Sequence, residues 1–485
     1  MAQTHPEQST SILNCLRREI FINGEWRPPD EDEEPISVSN SADSSELGEI
    51  MPASPNDVDA AVRAAQIAGS DWRHSSPSER AAALRALAVG LEAMEPSLSQ
   101  TISLEVGTPI NLSQRLQVGL PITVLNSYAD AVETFDWEWV VGNSTVHREP
   151  AGVVGAITPW NYPLYQMVVK VGAAFAAGCS VVAKPSSVAP FSVFAFADAV
   201  LDVGLPPGLF NLVPGSSNVG QAIAAHPGVD VLSFTGSTDV GRQVAAAAAQ
   251  NVTKVTLELG GKSACLILED ADLERAVTTG VRNAFLNSGQ TCTAWTRMIV
   301  PAALQSDVVD IARGAAAELP LGHPLEARTR LGPLATESQR TRVLRYIEIG
   351  VRGEGTLVLG GSAPPEKLDA GFYVAPTIFA DVRNDSTIAQ EEIFGPVLTI
   401  IPYSTEEEAT TLANDSPYGL TAAIWTANEA RASRIARLLQ VGQVDINGAR
   451  FNPHAPFGGY KLSGIGRELG SFGIDEFCQL KAVQR

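Results

Sequence analysis

Cys292 stands in the stretch SGQTCTAWTR (288–297), among Gly, Gln and Thr, just after a segment that reads as helix. A free cysteine is more often a small buried apolar residue than a nucleophile. The preceding NSGQT is turn chemistry, however, which predicts a thiol on a loop at a helix end. A thiol with an ordinary pKa of about 8.5 is only slightly ionised at neutral pH, so nucleophilic work requires an activator. The six histidines (His5, His74, His147, His226, His323, His454) are all remote in sequence and none sits in a recognisable partner motif. Glu258 ends the apolar run VTLELGG, between Leu257 and Leu259. It reads either as a strand-end carboxylate facing water or as a partly desolvated one whose pKa rises toward general-base range. Asn161 lies in TPWNYP, and FTGSTDVG puts Gly236 and Ser237 where a strand gives way to a helix. Free N–H groups and a partial positive charge at such a helix start suit a pyrophosphate. A plain strand-to-helix turn capped by Ser fits that motif equally well, because GxGxxG and the Lys of a GxxxxGK[ST] loop are both absent.

The elements that must position these residues alternate regularly from Ala151. AGVVGAIT, CSVVAKP, FNLVP, VDVLSFTG and KVTLELGG read as strands; YQMVVKVGAAFAAG, FSVFAFADAVLDVG, a segment through QAIAAH and STDVGRQVAAAAAQ read as the intervening helices. This alternation predicts an α/β fold with a doubly wound parallel sheet, in which Asn161, Gly236 and Glu258 gather beyond the carboxyl ends of the strands. A second α/β stretch follows, with helices in DLERAVTTGVRNAFL and QSDVVDIARGAAAEL. ETFDWEWVVGNSTVHR (133–148) reads as an inserted hairpin and FCQLKAV near the end as a further strand, two candidates for pairing with each other or across subunits. The predicted division is a dinucleotide-binding domain over 1–125 and 149–260, a catalytic α/β domain over 261–459, and oligomerisation strands at 126–148 and 471–485.

Composition narrows the class. The chain has 485 residues, more than one ordinary core organises, with 45% hydrophobic and 18% charged residues. Its formal net charge is −20 and no Lys/Arg cluster is present, which argues against nucleic acid as a partner. DEDEE (Asp30 to Glu34) reads as a solvated loop. The five cysteines (Cys15, Cys179, Cys265, Cys292, Cys478) are scattered and lack CxxC spacing, which disfavours a disulfide framework and a metal site alike. MAQTHPEQSTS lacks the layout of a signal peptide, and the run from Val171 to Ala183 is too short to cross a bilayer. A cytoplasmic protein without membrane partners is the expectation.

PWNYP, FTGST, LELGGKS, GQTC, EEIFGP and PFGGYKLSGIGRELG occur in the order and spacing of the aldehyde dehydrogenase superfamily, which the chain resembles from about Phe21 onward. The resemblance implies oxidation of an aldehyde to a carboxylic acid with NAD or NADP, in a homodimer or homotetramer. It makes Cys292 the nucleophile, through a thiohemiacetal and a thioester. Asn161 becomes the oxyanion donor together with the Cys292 backbone N–H, and Glu258 the base that activates the hydrolytic water. It also makes Lys170 an active-site lysine that adds positive field near the thiol. The positions matching cofactor contacts are Thr158, Pro159, Trp160, Lys184, Ser187, Gly220, Phe234, Gly236, Ser237, Gly260, Glu392 and Phe394. Those matching the substrate tunnel are Tyr162, Gln166, Val169, Leu286 and Phe451, mostly apolar and without a cation, so a neutral aldehyde is expected.

Three positions depart from the family pattern. KPSS places Ser187 where members often carry Glu; Trp295 follows the cysteine by three positions; and Val169 stands where succinate-semialdehyde-type members have Arg. Three other functions compete with the first. A cysteine hydrolase would leave the cofactor positions without a task, and a non-catalytic protein would not need Cys292, Glu258 and Asn161 together. Coenzyme-A-acylating members lack the Glu258 carboxylate.

Overall fold

The computed structural model describes residues 17–485 except 32, 367 and 369. The N-terminal stretch bearing His5 and Cys15 lies outside the described residues, as does one residue of the acidic run. An eight-stranded sheet forms the first layer. Its central strands Phe210–Leu212, Ser180–Lys184, Val153–Ile157, Val231–Thr235 and Lys254–Glu258 lie side by side in that order, all parallel. Ile20–Ile22 and Glu25–Arg27 extend one edge antiparallel, and Gly464–Ile465 adds the other, pairing Gly464 with Glu258.

The three innermost strands are buried throughout, as their unbroken apolar sequences require in a sheet covered on both faces. Successive residues serve opposite layers: Val154 and Ala156 join one core, Val153 and Ile157 the other. Chain order reverses at Val153–Ile157, whose neighbours are the strand after it on one side and Val231–Thr235 on the other. The loop leaving this strand carries Thr158 to Asn161 into the crevice of that switch point, where ligands of such sheets bind. Helix Pro163–Ala177 follows, started by Pro163 and stopped by Gly178 at φ 92°. It is buried on nearly every face, packed against the sheet and against helices Pro77–Ala93 and Leu120–Glu133.

A seven-stranded sheet forms the second α/β layer, parallel except for the edge strand Thr356–Leu359. Here too the cores alternate by residue: Leu266 and Ile299 face one side, Cys265, Met298 and Val300 the other.

The hairpin Glu138–Val141/Ser144–Pro150 turns through Gly142 at φ 59° and Asn143. The C-terminal strand Cys478–Gln484 pairs with its second arm, Cys478 opposite Pro150 and Gln484 opposite Ser144, so the two distant strands meet within one chain. The expected strand segments need correction at both ends. Residues 126–133 belong to helix Leu120–Glu133, which buries Val124, Leu125, Tyr128 and Val132 at helical spacing, and residues 471–476 belong to helix Gly470–Glu476. Among the described residues no helix is long and apolar enough to cross a membrane.

Candidate active site

Cys292 sits on a loop whose backbone is held in an unusual shape. Asn287, Ser288 and Gly289 all adopt left-handed conformations (φ 52°, 56° and 74°). Each non-glycine residue there costs about 1–2 kcal/mol, so surrounding bonds must enforce the shape. Asn287 accepts from Thr108 Oγ1 (2.6 Å) and donates to the Asn161 carbonyl (3.1 Å). Ser288 donates to the Gly332 carbonyl (2.8 Å), and Gln290 accepts from the Ala335 N–H (2.9 Å). A side chain on Gly289 would collide with the Gly395 carbonyl, so only glycine lets the loop pass. The loop leaves the Cys292 carbonyl pressed on Gly261, where a Cβ would lie 2.5 Å from that oxygen. The nucleophile candidate and the strand-end glycines are thereby locked together.

Two cavities are lined by Cys292, and Gln166 borders both. The first, of about 200 Å³, lies over the switch point. Pro159, Trp160, Gly236, Ser237, Gly260, Glu392 and Phe394 line it, together with Gln339 and Arg342. Ser237 caps helix Thr238–Ala249 by accepting from the Val240 N–H (3.4 Å), and the Phe234 ring lies under Gly236. Trp160 and Phe394 meet edge to face, centroids 5.5 Å apart. Glu392 accepts from the Gly261 N–H (2.9 Å). Gln339 donates to the Phe394 carbonyl (2.7 Å) and Arg342 to the Glu392 carbonyl (2.8 Å).

The remaining cofactor positions lie around this cavity rather than on its lining. Lys184 ends the adjacent strand, buried, with its ammonium on the Pro185 carbonyl (3.1 Å) and its stem against Gly220. Burial alone pulls its pKa down to about 8. The Thr158 N–H donates to the Lys184 carbonyl (3.1 Å), and Ser187 lies in the partly exposed bend just beyond. Thr158 Oγ1 and Thr235 Oγ1, at the ends of the two switch-point strands, are buried without protein partners. Orphaned hydroxyls beside a capped helix start fit a polar, phosphate-bearing cofactor.

The second cavity, about 420 Å³, lies on the other side of the thiol. Tyr162, Gln166, Leu286 and Phe451 line it, and so does Trp295, whose backbone N–H donates to Asn283 Oδ1 (2.8 Å). Val169 does not. It is buried in the core, its carbonyl accepting from Tyr128 Oη (3.0 Å), because helix Pro163–Ala177 turns that face away from the cavity.

Asn161 is buried, its side-chain N–H donating to the Gln290 carbonyl (2.9 Å), while Gln117 and Asn287 donate to its own carbonyl. Glu258 is buried with neither carboxylate oxygen hydrogen-bonded, and Oε1 lies against Gly458. Burial first, then the Glu468 carboxylate, push its pKa well above the usual carboxylate range, opposed by Lys170 and Arg467. Burial also raises the Cys292 thiol, and the carboxylates of Glu392, Glu258 and Glu468 raise it further. Lys170, the lysine expected to add positive field, has a side chain only 1% exposed and forms an ion pair with Glu468 at 2.6 Å; its positive charge acts on the Glu258 carboxylate. Glu468, Gln339 and Arg342 were not among the expected site residues. Glu468 stands within the motif PFGGYKLSGIGRELG, and 339 and 342 share one face of helix Glu337–Ile349.

Among the described residues, no cluster of three or more His, Cys, Asp or Glu side chains is arranged to hold a metal, and Cys179, Cys265, Cys292 and Cys478 are all free thiols.

A model of the aldehyde dehydrogenase family matches residues 26–483. A 3-succinoylsemialdehyde-pyridine dehydrogenase from a Pseudomonas species is 44% identical over 468 residues, covering 96% of this chain and 98% of its own. The geranial dehydrogenase of Castellaniella defragrans is 42% identical over 471 residues, covering 96% and 98%. A solved structure of aldehyde dehydrogenase C from Pseudomonas syringae, a cysteine-to-alanine variant with NAD+ and octanal, superposes with a TM-score of 0.95 at 42% identity, covering 99% of this chain and 98% of that one. The Mycobacterium tuberculosis aldehyde dehydrogenase complexed with NAD+ gives 0.94 at 41% identity, covering 96% and 98%. With its thiol between two cavities, a helix start at the switch point and these relatives along nearly its whole length, the chain belongs to the aldehyde dehydrogenase family.

Proposed function

We propose that this enzyme oxidises a neutral, largely apolar aldehyde at Cys292, with the cofactor in the switch-point cavity and the aldehyde in the cavity on the other side. The observation that carries the proposal is the position of Cys292 on the lining of both cavities. When bound, the nicotinamide cofactor supplies a hydride acceptor and a positive charge. The Cys292 thiol loses its proton to water and the thiolate sulfur adds to the carbonyl carbon, giving a thiohemiacetal whose oxyanion takes hydrogen bonds from Asn161 and the Cys292 N–H. One such donor is worth about 3–4 kcal/mol at the transition state. Loss of hydride leaves a thioester on Cys292. Glu258 then takes a proton from the water that attacks the thioester carbon, the C–S bond breaks, and the carboxylic acid leaves with the Cys292 thiolate restored. Absorbance at 340 nm with octanal and either NAD or NADP tests the reading; no change with either cofactor overturns it.

Neutral substrates follow from the lining of the aldehyde cavity, which holds no Lys or Arg. A substrate carboxylate would lose water there without gaining a counter-charge, at a cost of several kcal/mol, on the order of 3. Hexanal and benzaldehyde should therefore exceed succinate semialdehyde in kcat/KM by about a hundredfold. Preference for the semialdehyde refutes this.

Ser187 and Lys184 support tolerance of NADP beside NAD. A glutamate at position 187 would bind ribose hydroxyls and repel a 2′-phosphate; serine removes the repulsion, and a protonated Lys184 attracts the phosphate. Ser187→Glu should depress kcat/KM for NADP by roughly tenfold, about 1.4 kcal/mol, and spare NAD. The sign with pH is fixed by the lysine. Its pKa of about 8 leaves it charged below that pH, so the NADP-to-NAD ratio of kcat/KM should fall as pH rises through about 8. Outright rejection of NADP by the unmodified enzyme overturns this reading of Ser187. A reducing cytoplasm suits the four free thiols among the described residues, and a homodimer or homotetramer built on the three-stranded sheet suits the outer edge of Cys478–Gln484.

A further inference from the structure

The cavity proposed to receive the aldehyde carries one carboxylate that the reaction does not use. Asp445 belongs to strand Gln443–Ile446, at the edge of the second sheet, and lines that cavity. It is partly buried, and burial raises its pKa above the ordinary Asp value. Its Oδ1 accepts from Gln443 Nε2 at 2.9 Å. Among the described residues its other oxygen meets no donor, and no Lys or Arg pairs with it. A carboxylate in this position is costly to desolvate and keeps open acceptor sites toward the cavity. Its neighbours on the lining differ in kind: Leu286, Trp295 and Phe451 offer apolar surface. The cavity thus presents an apolar wall and a single anionic acceptor, with the thiol also on its lining.

We infer that Asp445 is a specificity-determining residue that receives the far end of the substrate, favouring aldehydes whose apolar body ends in a hydrogen-bond donor. A hydroxyl or an ammonium group satisfies the free oxygen, and a terminal carboxylate is repelled. The inference rests on the assignment of this cavity to the aldehyde. It narrows the neutral aldehydes to those with a donor at the far end, and extends the proposed substrate class to cationic aldehydes that carry an ammonium there.

Four aldehydes of one chain length separate these terms: octanal, 8-hydroxyoctanal, 8-aminooctanal and 8-oxooctanoate, each measured as kcat/KM relative to octanal with the same enzyme. The unmodified enzyme should place 8-hydroxyoctanal or 8-aminooctanal above octanal and 8-oxooctanoate about tenfold or more below it. Asp445→Asn keeps an acceptor and removes the charge. It should raise the 8-oxooctanoate ratio about tenfold and leave the 8-hydroxyoctanal ratio nearly unchanged; a fall in the 8-aminooctanal ratio would assign the preference to the cation. Asp445→Leu removes the acceptor as well and should lower the 8-hydroxyoctanal ratio. Oxidation of octanal by both variants shows that they are folded. If octanal is oxidised and none of the ratios moves in either variant, the inference fails and the dehydrogenase reading stands. If the unmodified enzyme does not oxidise octanal, the cavity assignment fails and takes the inference with it.

Discussion

Cys292→Ala removes aldehyde-dependent reduction of NAD, by on the order of 10⁴-fold or more, while leaving cofactor affinity within a few-fold. In the proposed reaction the sulfur is the atom that bonds to the carbonyl carbon, and among the described residues no other nucleophile lines both cavities. The remaining free thiols are no substitute. Cys179 and Cys265 are completely buried in cores and Cys478 is buried at the start of the C-terminal strand, and burial raises all three thiols. The cost of the substitution to the fold is small, since a side chain of nearly the same size replaces a thiol that is already partly accessible. Two measurements check this. Steady-state absorbance at 340 nm should show no turnover, and titration of protein fluorescence with NAD should give a nearly unchanged Kd. Ordinary turnover in the variant would place the chemistry elsewhere.

The charges that act on the thiol in this structure are those of carboxylates. Burial together with Glu392, Glu258 and Glu468 favours the protonated form. The lysine expected to help is occupied by Glu468, a partner 298 positions away. That pairing was not legible in the sequence, because no local pattern links residues so distant, whereas Cys292 was legible from its own turn-forming neighbours. The same contrast holds across the site. The loop Thr158 to Asn161 could be placed at the switch point because the alternation of strands and helices fixes which strand ends meet. Val169 could not be placed, since helix Pro163–Ala177 is buried nearly all round and its apolar pattern marks no face. The direction of Trp295 was equally closed to sequence reasoning: it depends on apolar neighbours from the second sheet, with the Trp295 backbone N–H held by Asn283. Strand Gly464–Ile465 was missed because two residues carry no periodicity, yet it closes the sheet edge beside Glu258.

Glu258→Gln should divide the reaction in two. The structure gives Glu258 a raised pKa from burial and from Glu468, so its ionised, base-competent form grows as pH rises toward that elevated value. The carboxylate lies against Gly458 with no hydrogen bonds to hold it, leaving it free to act through a water or by side-chain rotation. If its work is the hydrolysis of the thioester, the amide variant still forms the acyl-enzyme and releases one equivalent of reduced cofactor per active site. Steady turnover then falls by roughly 10²–10⁴-fold, the usual contribution of a positioned base. The pH profile separates this from a role at the thiol. In the unmodified enzyme, if deacylation limits turnover, the steady rate should climb with pH through the elevated Glu258 pKa, and the variant should lose that climb. The burst rate reports ionisation of Cys292, whose pKa is also raised, and it should keep its own rise with pH in both proteins. Rapid quenching and mass spectrometry of the variant should find the acyl group on Cys292. Loss of the burst itself, with no adduct, would assign Glu258 to deprotonating the thiol and overturn its assignment to the water.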